Sequence, residues 1–367
     1  MKILHAVLSQ GFYGSERYCI DLAIAQARAG HSVAVISHGG SSRPTQHFRK
    51  AVAEASAGGL KGTIRIFAIP LILPAVLHRP VAGAILRRFA PDVVHTHLNP
   101  AARRIGRTAQ SLRIPHVTTL HLNFDAPEHG ACDGLILVNN FQRAWIPETF
   151  AGEITVAWTA LPSAHIEALA RTRPEELASL RKTWGADDST VVFGTIGRLM
   201  PEKGLDRMVL AFRSAFPNGR EAVRLVILGE GQERDRIRDL GSSDPRIHLI
   251  GTQNEVAPFY LAFDVYVNTA RFEPFGLTVL EAMAAGCKLV LTRTDGPGHY
   301  AKGDRVLIAE QDQDAALAPM FQQAAGWPRE RPTYDVEEFS QKRITKLIED
   351  HYRQVIANRL TAKPQQN

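Results

Sequence analysis

Short aliphatic runs, each followed by a turn and a helical stretch, recur along the whole chain, and no other feature restricts its fold as strongly. Runs of four to eight β-branched and aliphatic residues without polar alternation read as strands buried on both faces. Strands of that kind, alternating with helices, build parallel sheets. In the first half the strand candidates are 2–8, 31–37, 64–69, 93–96, 116–120, 134–138 and 154–157. Helices fill the gaps, notably 16–29, which stops at Gly30 as a helix C-terminus should. From Pro162 to about Asp188 the composition turns polar and helical, and strand character restarts at 190–196. Further strands are expected at 224–228, 247–250 and 264–268, with helices from Gly204, from about Gln232 and over 256–263. A chain of 367 residues exceeds one ordinary core, so the reading is two α/β domains, 1–162 and 163–340. A last stretch, 336–356, sets Phe339, Ile344, Leu347, Ile348, Tyr352 and Val355 at near-helical spacing, which predicts a closing helix and tail over 341–367.

Composition excludes several classes. Hydrophobic residues make up 45% and charged residues 22%, too apolar for disorder and without a fibrous repeat. The three cysteines, Cys19, Cys132 and Cys287, are widely spaced and odd in number, which fits a reducing compartment and no structural zinc. The N-terminal apolar run soon meets Gly11 and Glu16, so it reads as a first strand and not as an export signal. No window reaches the roughly 18 apolar residues of a membrane span. Charge is uneven: residues 1–160 hold 16 Lys and Arg against 9 Asp and Glu, a net of +7, and the remainder nets −1. Arg79, Arg87, Arg88, Arg103, Arg104, Arg107 and Arg113 lie near the apolar stretch 69–77. That neighbourhood suits a peripheral contact with an anionic membrane or a lipid-linked acceptor, and equally a plain solvated basic face. Aromatic residues do not interleave with these arginines, so nucleic acid is not an expected partner.

The most specific pattern is Glu273-Pro274-Phe275-Gly276-Leu277-Thr278-Val279-Leu280-Glu281, two glutamates eight positions apart across a turn that opens a helix. A helix N-terminus offers free backbone N–H groups and partial positive charge, which suits a diphosphate. Glu281 could accept from a pair of ribose hydroxyls while Glu273 addresses the sugar. Taken singly, either glutamate is an ordinary dipole-compensating residue. A second pattern, Gly197-Arg198-Leu199-Met200-Pro201-Glu202-Lys203-Gly204, also falls where a strand turns into a helix and places two cations around a tight loop. Stabilising a departing diphosphate without a metal needs Arg, Lys and backbone dipoles, and Arg198 and Lys203 fit that need. No Asp-x-Asp on a loop suggests a metal site, since Asp187-Asp188 is adjacent and lies between the domains. Gly229-Glu230-Gly231 follows a strand and could approach a nucleotide through its backbone, but Arg234 at the third glycine position breaks the dinucleotide fingerprint.

Together these two patterns resemble the retaining GT-B glycosyltransferases of family 4. The N-terminal strand with Gly11-Phe12-Tyr13-Gly14-Ser15-Glu16-Arg17, the Pro91–His97 segment and Pro115–His121 are similar to that family's acceptor-side landmarks. The resemblance implies an α/β fold of the GT-B type, two Rossmann-like domains facing a cleft, with the C-terminal helix closing back toward the first. It implies that Arg198 and Lys203 bind the donor diphosphate, that Glu281 binds the ribose and Glu273 the donor sugar region, and that Gly14 lies near the phosphates. Gly229, Phe275, Gly276 and Leu277 complete the expected donor site, His121 stands near the reacting sugar, and His97, Glu16 and Arg17 belong to the acceptor side. The implied reaction moves a hexose or heptose from a nucleoside diphosphate to a glycan or lipid-linked acceptor with retention, needing no metal and no other cofactor, in the cytoplasm or at the inner face of its membrane. Two departures affect donor identity: Trp158-Thr159-Ala160-Leu161-Pro162 replaces the usual interdomain residues, and Thr294-Asp295-Gly296-Pro297-Gly298-His299-Tyr300 replaces a glycine-rich loop, making Asp295 and His299 candidates for sugar contact. Two other readings stay open on sequence alone, a nucleotide-sugar epimerase or hydrolase on the same scaffold and a non-catalytic sugar-nucleotide-binding protein.

Overall fold

Seven parallel strands form the first sheet: β1 (Lys2–Val7), β2 (Ser32–His38), β3 (Thr63–Ile69), β4 (Val93–His97), β5 (His116–Leu120), β6 (Gly134–Leu137) and β7 (Glu153–Val156), in the order β3-β2-β1-β4-β5-β6-β7. The second sheet has six: β8 (Val191–Ile196), β9 (Val223–Leu228), β10 (Ile247–Gly251), β11 (Val265–Asn268), β12 (Lys288–Thr292) and β13 (Val306–Ala309), in the order β10-β9-β8-β11-β12-β13. The computed structural model describes residues 1–9, 11–12, 14–39, 42–70, 75–121 and 123–361, with the backbone alone described for 75, 76, 163 and 164. Tyr13 of the N-terminal motif and residues 71–74 of the apolar stretch therefore lie outside the described residues.

The chain divides into two compact units, Met1–Ala160 with Phe339–Asn367, and Leu161–Glu338. Each is a doubly wound Rossmann-like layer of helices and parallel strands. In the first unit α1 (Gly14–Arg28) crosses from β1 to β2 and buries Cys19, Ile20 and Ala23 against Val7, Val33 and Val35. The opposite residues of the same strands, Leu4, Ala6, Ala34 and Ile36, pack with Leu86, Val94 and Ile105 on the other face. Apolar residues on both faces explain why the central strands read as unbroken hydrophobic runs. The expectation of full burial is corrected at the edges, where β3 and β7 are half-exposed because each has only one neighbouring strand.

In the second unit the core gathers Phe193, Leu225, Val265 and Val290 from the strands with Met208, Val209 and Phe212 of α2 (Leu205–Ala215). Strands β12 and β13 were absent from the sequence expectation, though Leu289-Val290-Leu291 and Val306-Leu307-Ile308 are short apolar runs of the kind that signalled the others. α3 (Leu277–Ala284) leads from the turn after β11 toward β12. The closing helix begins at Gln341, inside the apolar stretch that starts at 336. Residues Glu337–Phe339 make a 3-10 turn, and α4 (Gln341–Thr361) follows, burying Ile344, Ile348, Tyr352 and Val355 against Ile3, Val93, Val117 and Ile136 of the first sheet. Leu347 falls off that stripe and is exposed. No helix among the described residues is long and apolar enough to cross a membrane.

Candidate active site

In a doubly wound sheet the ligand crevice lies beyond the carboxyl ends of the strands where the strand order reverses. That point lies between β1 and β4 in the first sheet and between β8 and β11 in the second. Gly197-Arg198 follows β8, and the Glu273 loop follows β11, so the two most specific sequence patterns meet at one switch point.

Backbone hydrogen bonds join these loops. Arg271 and Phe272 donate their N–H groups to the Glu202 carbonyl at 2.8 and 3.2 Å, and the Arg271 guanidinium donates to the Pro201 carbonyl at 3.0 Å. Gly204, at φ +61°, starts α2, and a Cβ there would sit 2.1 Å from the Thr269 carbonyl oxygen, so only glycine allows this approach. Gly229, at φ +140°, brings the loop after β9 against the loop after β8, and a Cβ would lie 1.8 Å from the Gly197 oxygen. Its place in the motif is thus explained by close backbone packing, reinforced by Leu199 N–H donating to the Glu230 carbonyl at 2.9 Å.

Within this frame Lys203 Nζ donates to Glu273 Oε2 at 2.6 Å, the two side chains being 21% and 13% exposed. Glu273 Oε1 accepts from the Gly276 N–H at 3.1 Å, which fixes the turn that opens α3. Gly276, at φ +79°, is the N-cap residue and supplies no side chain, so no side chain caps the first turn of α3. Glu281, five residues into the helix, is 3% exposed. Its Oε2 accepts from the Tyr260 phenol at 2.9 Å, and its Oε1 has no hydrogen-bond partner among the described residues. Burial first, then the neighbouring Glu281 charge, raises the Tyr260 phenol well above its ordinary pKa, so it remains a donor. Tyr300 donates to the Gly276 carbonyl at 2.7 Å, and burial with the charges of Glu273 and Glu281 raises its phenol too, which places both glutamates within electrostatic reach of one ring. Arg198 behaves differently: its side chain is 56% exposed and pairs with Glu202 at 3.2 Å. Phe275 is buried against Tyr300, and Leu277 is half-buried. After β12, Asp295 is exposed on the loop and His299 is exposed in the short helical turn Pro297–Tyr300.

Several residues that hold the site had no motif to announce them. Arg207, 6% exposed, donates to the Thr269 and Ala270 carbonyls, to Thr292 and Gln311, and to Asp314 at 2.9 Å, pinning the segment that leads to Glu273. Asp206 accepts from both terminal nitrogens of Arg271 at 2.9 and 3.0 Å, a bidentate pair. An arginine three positions after the Lys-Gly pair, inside an otherwise apolar helix face, was the available signal.

At the first sheet's switch point stand His5 on β1, His95 and His97 on β4, and His121 just past β5. His97 was expected on the acceptor side, but it is wholly buried inside β4, with both ring nitrogens bound to His5 and His121. Glu16, also expected on the acceptor side, is turned into the interior by α1 at 1% exposure. Motif reading gives no helix phase at so short a range. Arg17 is half-buried and pairs with Asp21 at 3.8 Å, and Gly14, the first residue of α1, has no atom within 4 Å of where a Cβ would stand. His121 is half-buried, and desolvation lowers its pKa to about 4.

Two parallel Rossmann-like sheets in one chain, the second with a cationic and an acidic loop at its switch point, define the GT-B class. A glycosyltransferase from Rickettsia africae has this fold, matching 97% of this chain and 99% of its own with a TM-score of 0.75 at 16% identity. Residues 12–151 match the family model Glycosyltransferase Family 4, and residues 178–324 match Glycosyl transferases group 1. The chain belongs to this family of glycosyltransferases. A GDP-mannose-dependent alpha-mannosyltransferase of Mycobacterium tuberculosis is 30% identical over 233 residues, covering 58% of each protein. A lipopolysaccharide core biosynthesis glycosyltransferase of Rhizobium meliloti, LpsE, is 33% identical over 141 residues, 37% of this chain and 39% of that one. The matches thus span 58% and 39% of these relatives' own lengths.

Proposed function

We propose that the protein transfers a sugar from a nucleoside diphosphate donor to a hydroxyl of a glycan or lipid-linked acceptor, with retention at the anomeric carbon and without a metal ion. The observation that carries this reading is Glu281, a buried carboxylate with one oxygen unpartnered among the described residues, on the helix that the Lys203–Glu273 pair introduces. An unpaired buried acceptor is costly, and paired hydroxyls of a ribose are the donors that would satisfy it. The uncapped first turn of α3, with Arg198 and Lys203, offers the charge and N–H groups that a diphosphate needs as it leaves. Glu273 then addresses the donor sugar and His121 its reacting face. The leaving phosphate, on the same face as the entering hydroxyl, takes the acceptor proton.

Incubation with a panel of nucleotide sugars, including GDP-mannose and UDP-glucose, with and without acceptor, tests this reading. Acceptor-dependent product with an unchanged anomeric configuration, formed equally in EDTA, is the expected result. Sugar release without acceptor, epimerised donor, or dependence on a divalent ion would overturn the corresponding part.

The acceptor reading extends to a membrane surface at the cytoplasmic face. Arg79, Arg87, Arg88 and Arg113 are exposed, whereas Arg103 pairs with Glu128 at 3.3 Å and Arg104 and Arg107 bond His78 and the Pro127 carbonyl. Sedimentation with vesicles containing anionic lipid at low salt is expected to carry the protein down, and vesicles of neutral lipid are not. Equal behaviour with both would reduce these arginines to a solvated face.

A further inference from the structure

A line of buried imidazoles crosses the core of the first unit and ends at His121. His5 Nε2 lies 2.7 Å from Gln26 Oε1, His5 Nδ1 lies 3.1 Å from His97 Nε2, and His97 Nδ1 lies 3.2 Å from His121 Nε2. Gln26 also donates from Nε2 to the Tyr352 phenol oxygen at 3.4 Å, and that phenol meets His95 Nδ1 at 2.5 Å. His95 Nε2 in turn meets Thr119 Oγ1 at 2.6 Å. His5, His95 and His97 are the one group of three potential metal ligands among the described residues, yet all six of their ring nitrogens are already hydrogen-bonded. The arrangement is therefore a hydrogen-bond relay.

A relay of neutral rings has a direction. A neutral imidazole carries one N–H and one lone pair, so the role of either nitrogen dictates the other. Because the Gln26 amide turns its N–H₂ toward Tyr352, its oxygen faces His5 and can only accept, which puts the His5 proton on Nε2. His5 Nδ1 is then an acceptor, and the donor facing it is His97 Nε2–H. His97 Nδ1 accepts in the same way, and its donor is His121 Nε2–H. We propose that Gln26 and Tyr352 are positioning residues that, through His5 and His97, hold His121 in the Nε2–H tautomer and leave its Nδ1 to meet substrate as an acceptor only. Burial keeps every ring neutral, lowering His5 to about 4 and His97 well below the usual range, so the direction is preserved along the line. Tyr18 stands edge-on to both His97 and His121, with ring centroids at 5.7 and 5.1 Å, and holds their planes.

The chemical consequence, which rests on His121 facing the donor sugar, is a site that selects a hydroxyl as hydrogen-bond donor. A sugar with that hydroxyl replaced by fluorine or a methyl ether would lose the contact.

The relay is tested on the full chain with ¹⁵N-labelled histidine, reading the tautomers by long-range ¹H–¹⁵N correlation at about pH 8, well above the lowered pKa values, with His121 assigned by its disappearance in His121→Gln. The expected spectrum shows a single tautomer at His121, with Nε2 protonated and Nδ1 bare. An Nδ1–H ring or a mixture of tautomers overturns the proposal. Gln26→Leu removes the anchor and should convert His121 to a mixture while raising the donor KM about tenfold, the weight of one misdirected hydrogen bond. Gln26→Glu keeps an acceptor toward His5 and should restore the wild-type spectrum. A pure Nε2–H signal surviving in Gln26→Leu also overturns the relay, and if that variant does not fold, the wild-type spectrum decides alone. The spectrum is read without substrate and is separable from the transfer assay: an unchanged donor KM in His121→Gln overturns the substrate contact even if the tautomer is the expected one.

Discussion

Lys203 and Glu273 neutralise each other at 2.6 Å, so a diphosphate arriving here must compete with a carboxylate for the same ammonium. Such competition favours binding of the more highly charged leaving state over the substrate, which is where catalytic benefit lies. Lys203→Ala is expected to lower kcat about 10²- to 10³-fold, as loss of one oriented charge stabiliser does elsewhere, and steady-state kinetics checks it. A change confined to KM would reassign Lys203 to simple binding. Glu281→Gln should separate function from stability. It removes a buried charge with an unpartnered oxygen, so the thermal midpoint is expected to hold or rise while donor affinity falls. A lower midpoint with unchanged donor affinity would make Glu281 a structural residue held by Tyr260.

At the scale of elements, the site depends on loops stitched edge to edge. Gly229→Ala would force a Cβ against the Gly197 carbonyl at an unfavourable φ, and a loss of about 1–3 kcal/mol is expected from urea denaturation. Arg207→Ala would leave the Thr269 and Ala270 carbonyls without their charged donor, costing roughly 3 kcal/mol. Its kinetic mark should be a raised donor KM, since Arg207 holds the Glu273 loop and touches no substrate. Wild-type stability in either variant would refute the stitched-loop account. The closing helix α4 belongs to the first unit by its contacts, with Tyr352 wholly buried beside Ile3 and Val93.

For the whole molecule, the histidines set the response to acid. His5 and His116 are buried and neutral, with pKa values lowered from 6.5 to about 4 and about 3 by desolvation first. The unfolded chain takes up these protons near pH 6.5 while the folded chain refuses them until far lower pH. Stability present above the unfolded value is therefore lost as pH falls from 6.5 toward 4, at up to about 1.4 kcal/mol per pH unit for each group. Urea midpoints measured from pH 7.5 down to 4.5 should decline steadily, and a flat or rising profile would contradict the burial of these rings. Thr96 and Thr118 hydrogen-bond the His116 ring, His97 and Gln26 hydrogen-bond the His5 ring, and His95 packs against His5; Asp133 accepts from the His116 backbone N–H at 2.8 Å, but among the described residues no carboxylate hydrogen-bonds either ring.

Periodicity and turn chemistry are local, and they were enough to read the two βα series apart from β12 and β13, together with the two charged loops, because a buried parallel strand must be apolar on both faces. The two loops that carry Lys203 and Glu273, and the helix that carries Glu281, were legible because a strand-to-helix turn at a switch point favours glycine and charge in a recurring pattern. The burial of Glu16 and His97 was not legible, since motif position does not say which way a helix or strand turns a side chain. Arg207 and Tyr260 escaped the sequence, as did the hydrogen bonds that join Gln26, His5, His97 and His121. Their partners lie on other strands and helices, and a hydrogen bond between segments distant along the chain exists only once packing has brought donor and acceptor within about 3 Å.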